Sequence, residues 1–124
     1  MRVLFINYKG VIMVRLAELT CEACDKSSIK LSSDEISILM PKIKDWELLV
    51  DSDVQKLKRI FKVKNYTEAI ELTNKVAELS DSVNHHPQII LEYASVTVIW
   101  WSHNIKGLHN NDFIMADKTS QLFE

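Results

Sequence analysis

Four histidines fall in the last third of this 124-residue chain: His85, His86, His103 and His109. His85 and His86 stand directly before Pro87, and proline pushes the residue ahead of it out of the helical region. The pair is therefore expected at a corner where a helix gives way to a strand. His103 follows the second of two strand-like stretches. Residues before the first strand of an antiparallel hairpin lie near residues after the second, so His85 and His86 are expected to approach His103. Within such a cluster one imidazole can serve neutral as base while another serves charged as acid. Metal-free acid-base chemistry is the natural use. His109 reads as an ordinary corner residue, and His109→Ala is expected to leave that chemistry nearly unchanged.

Three imidazoles also form the ligand set of some catalytic zinc sites. Consecutive residues entering a strand point to opposite sides, and helical ligand pairs sit four apart. His85 and His86 are thus poorly placed to reach one ion, and no metal is expected. Cys21 and Cys24, in C-E-A-C, supply only half of a structural zinc site, and no second C-x-x-C follows. The flanking residues lack the strand-helix setting of a redox pair, so the two read as ordinary thiols in a reducing cytoplasm.

The elements that position the histidines belong to one domain, since 14.3 kDa is enough for one core and too little for two. A formal charge of -2 offers no general attraction for nucleic acid or anionic lipid. The two glycines, Gly10 and Gly107, are far apart, which excludes a glycine-rich phosphate loop. The apolar run from Val3 to Ile6 is cut by Asn7, Tyr8 and Lys9, too short for a secretory or membrane segment. Residues 1–31 read as an irregular arm, within which Met13 offers an alternative start, and residues 32–124 as the domain.

Ser32 and Glu35 form a candidate capping box for a helix over residues 33–43, with Ile36, Leu39, Met40 and Ile43 at helical spacing and a kink or fray at Pro41. Trp46 to Val50 and Leu57 to Val63 suit two strands, with turn chemistry at Asp51-Ser52-Asp53. Tyr66 to Val83, free of glycine and proline, is the longest predicted helix. Gln88 to Tyr93 and Ser95 to Trp101 form a second hairpin, with Val96, Val98 and Trp100 on one face and Thr97, Ile99 and Trp101 on the other. Asn110 or Asn111 is placed to cap a last helix carrying Phe113, Ile114, Ala116 and Leu122. The order α-β-β-α-β-β-α predicts an α+β, two-layer domain: a four-stranded antiparallel sheet with three helices on one face.

Asp81, His85-His86-Pro87, Tyr93, His103 and Asp112, in that order and spacing, resemble the signature of the pterin-4a-carbinolamine dehydratases. The resemblance runs from about Ser32 to the C-terminus. It includes Trp46 in D-W-E-L, the K-N-Y-T-E-A-I start of the long helix, and W-W-S-H-N-I-K-G-L-H-N-N-D-F-I-M-A. The C-E-A-C arm is similar to that of bacterial members encoded with phenylalanine hydroxylase, whereas the segment before Met13 does not align with the family pattern.

This resemblance implies a hydro-lyase that converts 4a-hydroxytetrahydropterin to quinonoid dihydropterin and water, recycling the pterin of aromatic amino acid hydroxylases. The pterin is then substrate, and neither metal nor cofactor is implied. His85 and His103 are expected to share the acid-base work, with His86 binding the pterin or its hydroxyl. Asp81, one helical turn before His85, can hold an imidazole in one tautomer. Asp112 can do so for His103, or can be a first-turn acid favoured by the helix dipole. Trp46 can wall the flat pterin or fill core, and Ser102 joins the substrate-binding group. Implied partners are the hydroxylase, as a functional link, and further copies of the chain. A homo-oligomer is expected, tetramer ahead of dimer, with the stripe Tyr66, Ala69, Ile70, Thr73, Ala77 on the sheet and Leu72, Val76, Leu79, Val83 facing a matching helix. Neither nucleic acid nor membrane is an expected partner. The alternative is a non-catalytic dimerisation or scaffold protein of the same fold.

Overall fold

The computed structural model describes residues 4–6, 13–20 and 28–124. Cys21 and Cys24 lie outside them. The capping box at Ser32 forms: its Oγ accepts from the Glu35 N–H at 3.2 Å, and Glu35 Oε1 accepts from the Ser32 N–H at 3.0 Å. This starts α1 (Ser33–Leu39), which tightens into a 3₁₀ turn, Met40–Lys42, where Pro41 has no N–H to continue the ladder. Ile36 of α1 and the following Ile43 enter the core.

β3 (Glu47–Asp51) and β4 (Val54–Lys62) pair from Asp51↔Val54 outward, so only Ser52 and Asp53 form the loop. Both have positive φ, 51° and 65°, the backbone of the two-residue turn whose twist matches its flanking strands. α2 (Tyr66–Val83) crosses over, and the chain returns as β5 (Gln88–Glu92) and β6 (Ser95–Trp100). The antiparallel sheet has the order β3-β4-β6-β5. Register sets Leu57 opposite Trp100 and Phe61 opposite Val96, and these four, with Val98, make the helix-facing floor of the core.

The two stripes of α2 exchange places relative to the sequence expectation. Leu72 and Val76 are buried and Leu79 and Val83 pack against the core, while Tyr66 and Ile70 are 46% and 39% exposed. Ala69 alone of the first stripe is fully buried. Glutamates at positions 72 and 79 would therefore strike the core rather than an interface. Periodicity locates stripes without saying which one meets the sheet.

α3 (Asn110–Phe123) is buried around most of its circumference, because the N-terminal segment covers its far side. Residues read as an irregular arm contain β1 (Leu4–Ile6) paired antiparallel with β2 (Met13–Arg15), followed by a 3₁₀ turn at Leu16–Glu18. Arg15, Leu16 and Ala17 are buried. Arg15 grips Asp117 with Nε–Oδ2 at 3.1 Å and Nη2–Oδ1 at 3.3 Å, and the Ala17 N–H donates to the same carboxylate at 2.9 Å. The arm is thus a docked third layer over α3, held by a buried ion pair that leaves no trace in hydrophobic spacing. Among the described residues, no helix is long and apolar enough to cross a membrane.

Candidate active site

α2 ends at Asn84, which adopts φ 52° and ψ 42°. The Asn84 N–H donates to Asp81 O at 3.3 Å and the His85 N–H to Ser80 O at 3.2 Å, the paired closure of a Schellman motif. Asparagine tolerates this left-handed backbone where branched residues do not. Asn84→Val should accordingly lower stability by about 1–2 kcal/mol, and Asn84→Gly by less than about 1 kcal/mol, as read from urea unfolding midpoints.

The turn throws His85 inward and His86 outward. The His85 side chain is 11% exposed, and its Nε2 lies 2.7 Å from Asp112 Oδ1. Its ring stacks on Trp100, with centroids 5.3 Å apart and 23° between planes. His86 is more than half exposed and pairs through Nε2 with the exposed Asp81 at 2.9 Å. Asp81 thus holds His86 rather than His85, since the left-handed turn swings His85 toward α3.

Beyond β6 the chain closes a small clasp. The Ser102 N–H donates to Gly107 O at 2.9 Å and the Gly107 N–H to Ser102 O at 3.4 Å, around a 3₁₀ turn at His103–Ile105. His103 is exposed, and its ring stacks on Trp101 with centroids 4.3 Å apart. Lys56 Nζ sits 4.0 Å from the centroid of the same indole. Consecutive tryptophans thus carry the two histidines, Trp100 at the end of β6 stacking on His85 and Trp101 just beyond it stacking on His103.

The start of α3 ties these pieces together. Asp112 is fully buried, and three donors reach its carboxylate: His85 Nε2 on Oδ1, then Ser102 Oγ at 2.7 Å and the His109 N–H at 3.0 Å on Oδ2. Asp112 therefore serves His85, not His103. An ionised carboxylate only accepts, so His85 Nε2 donates to it, and a neutral ring in this pose carries its lone pair on Nδ1. That is the tautomer of a base held by an acid. Ser102, 1% exposed, bridges Asp112 to the residue next to it, His103.

The remaining candidates lie apart from this group. Trp46 is 7% exposed, with Nε1 donating to Ser120 Oγ at 2.8 Å and an edge contact on Phe61. Its partner is eight residues along α3 from Asp112, about 12 Å at the usual helical rise, so Trp46 fills core. Tyr93 is 70% exposed in the β5–β6 turn, at the end of that hairpin away from His85. No hydrogen bond or ring contact joins the three imidazoles to one another among the described residues, where no group of three or more metal-ligating side chains gathers either. His109, expected as an ordinary surface or hydrogen-bonding corner residue, does hydrogen-bond, and as the cap of α3 in place of Asn110 or Asn111: its Nδ1 accepts from the Asn111 N–H at 3.1 Å. Histidine is not among the preferred caps, so sequence carried little signal for this role.

Three comparisons bear on what this arrangement serves. The family model described as Pterin 4 alpha carbinolamine dehydratase matches residues 29–122. A Nitrosococcus oceani protein named "Putative pterin-4-alpha-carbinolamine dehydratase" is 49% identical over 112 residues, spanning 90% of this chain and 99% of that protein. A crystal structure from Brucella melitensis, described as a transcriptional coactivator/pterin dehydratase, is similar with a TM-score of 0.70 at 22% identity. The match covers 77% of this chain and all of that one.

Proposed function

The chain belongs to the pterin 4 alpha carbinolamine dehydratase family, and from that membership we propose that it eliminates water from 4a-hydroxytetrahydropterin to leave quinonoid dihydropterin. The observation that carries this reading is His85 held through Nε2 by buried Asp112, with Nδ1 left to take a proton. In the proposed step His85 Nδ1 removes the proton from N5 of the pterin. The released pair forms the C4a=N5 bond, the C4a–O bond breaks, and the hydroxyl takes a proton from His103 and departs as water. His86, exposed beside His85, is assigned to binding the pterin or its hydroxyl. Ser102 orients Asp112 and thereby His85. The reaction as written needs only proton transfers, which positioned side chains of this kind accelerate by about 10²- to 10⁴-fold.

The wider setting belongs to the same proposal. The protein acts in the cytoplasm on the product of an aromatic amino acid hydroxylase, as a homo-oligomer. Tyr66, Ile70 and Ala77, the exposed residues of α2 at spacings of four and seven, are the ones a second helix would meet.

A stopped-flow assay tests the activity, with carbinolamine generated by a phenylalanine hydroxylase and dehydration followed with and without this protein. Added protein should accelerate the step in proportion to its concentration. A rate equal to the spontaneous one would overturn the proposal and leave the scaffold reading in its place.

A further inference from the structure

Two hydrogen bonds in series link His109 to His85 through the carboxylate of Asp112. We infer that the His109 side chain is a positioning residue for His85, acting through the first turn of α3. The N-terminal N–H groups of a helix have no partners within it and must find them outside. Here His109 Nδ1 accepts from the Asn111 N–H at 3.1 Å and His109 O accepts from the Asp112 N–H at 3.0 Å. The His109 N–H completes the exchange by donating to Asp112 Oδ2 at 3.0 Å.

In an ordinary capping box the acid at the third position serves the helix end alone. Asp112 has a second task, because its Oδ1 holds His85 Nε2 at 2.7 Å. One carboxylate therefore closes the cap and orients the proposed base. When the cap acceptor is lost, the first turn frays, the His109 N–H leaves Oδ2, and among the described residues Ser102 Oγ alone remains to fix that oxygen. The carboxylate is then free to rotate, and His85 loses its fixed tautomer. His109 also lines a cavity of about 460 Å³ together with Leu16 and Leu19 of the arm, Leu39 of α1 and Phe113 of α3.

The effect on turnover rests on the dehydratase reading, whereas the effect on His85 does not, and the experiment separates them. His109→Ala and His109→Asn are made in the full chain, asparagine being a preferred cap that restores an acceptor. Two quantities are read: hydrogen exchange at His85 Nε2 by NMR, and kcat and KM by stopped flow. His109→Ala should speed the exchange by about tenfold and lower kcat by about fivefold, with KM changed less than about twofold, in line with the loss of one cap. His109→Asn should return both to within about twofold of the natural protein. Unchanged exchange in His109→Ala would overturn the inference. So would a folded His109→Asn protein in which His85 Nε2 exchanges as fast as in His109→Ala. Should the alanine variant fail to fold, the asparagine variant decides alone: a slow His85 Nε2 exchange supports the role, and a fast one sinks it. If the natural protein shows no dehydration while His109→Ala still frees His85, the dehydratase reading falls and the positioning role stands.

Discussion

His85→Gln is expected to slow carbinolamine dehydration by about 10²- to 10⁴-fold while the protein stays folded. Glutamine keeps an N–H donor for Asp112 and a side chain of comparable reach, so the buried carboxylate retains its partner in place of His85 Nε2. What glutamine lacks is a nitrogen lone pair that accepts a proton near neutral pH. The substitution therefore removes the base and spares the scaffold, which His85→Ala would not do, since alanine leaves Asp112 short of a donor at 0% exposure. Stopped-flow rates, read beside the thermal midpoint, separate the two effects. A loss below about threefold in a protein melting like the original would remove His85 from the chemistry.

Arg15→Met is expected to cost about 3–5 kcal/mol of stability, the penalty for leaving one member of a buried pair charged and alone. Asp117 is 3% exposed and would keep only the Ala17 N–H at 2.9 Å from the contacts that now tie the arm to α3. Arg15→Met combined with Asp117→Leu should recover most of that loss, because removing both charges removes the unpaired one. Urea unfolding of the two variants and the original checks both statements. Equal midpoints for Arg15→Met and the original would mean that the arm contributes nothing.

Acid should expose the same clamp. The Glu124 carboxyl is held at about 2, below its ordinary 4.5, with the hydrogen bonds from Arg15 the largest of the causes. A carboxyl depressed in the folded state stabilises above its unfolded value and loses that contribution as pH falls from 4.5 toward 2. Glu124 is 43% exposed, so solvent screening keeps this part small beside the Asp117 pair. Arg15→Met should make that stretch of the stability profile shallower.

Local chemistry made much of this molecule readable in advance. The Ser32–Glu35 capping box, the turn at Ser52-Asp53 and an 18-residue helix without glycine or proline formed where their residues placed them, because each depends on neighbours a few positions away. The histidine-proline corner was legible for the same reason: Pro87 forbids helix at His86, and Asn84 supplies the left-handed stop. The family, too, followed from residues at set spacings, from Asp81 through His85-His86-Pro87 to Asp112.

What stayed hidden were choices between partners distant in sequence. Asp112 was expected to serve His103 or the start of its own helix, and its bond to His85, 27 positions away, was decided by how α3 lies against the end of α2. Two apolar stripes on α2 were equally periodic, and only the sheet beneath it selected Leu72 and Val76 for burial. The arm looked irregular because its anchor is a charge pair spanning 102 positions, from Arg15 to Asp117. Sequence by itself determined elements, corners and the stock of chemical groups, since those follow from local backbone preference and residue type. Only the tertiary structure decided which acid holds which histidine, because directional hydrogen bonds between distant residues exist only once packing has brought their atoms within about 3 Å.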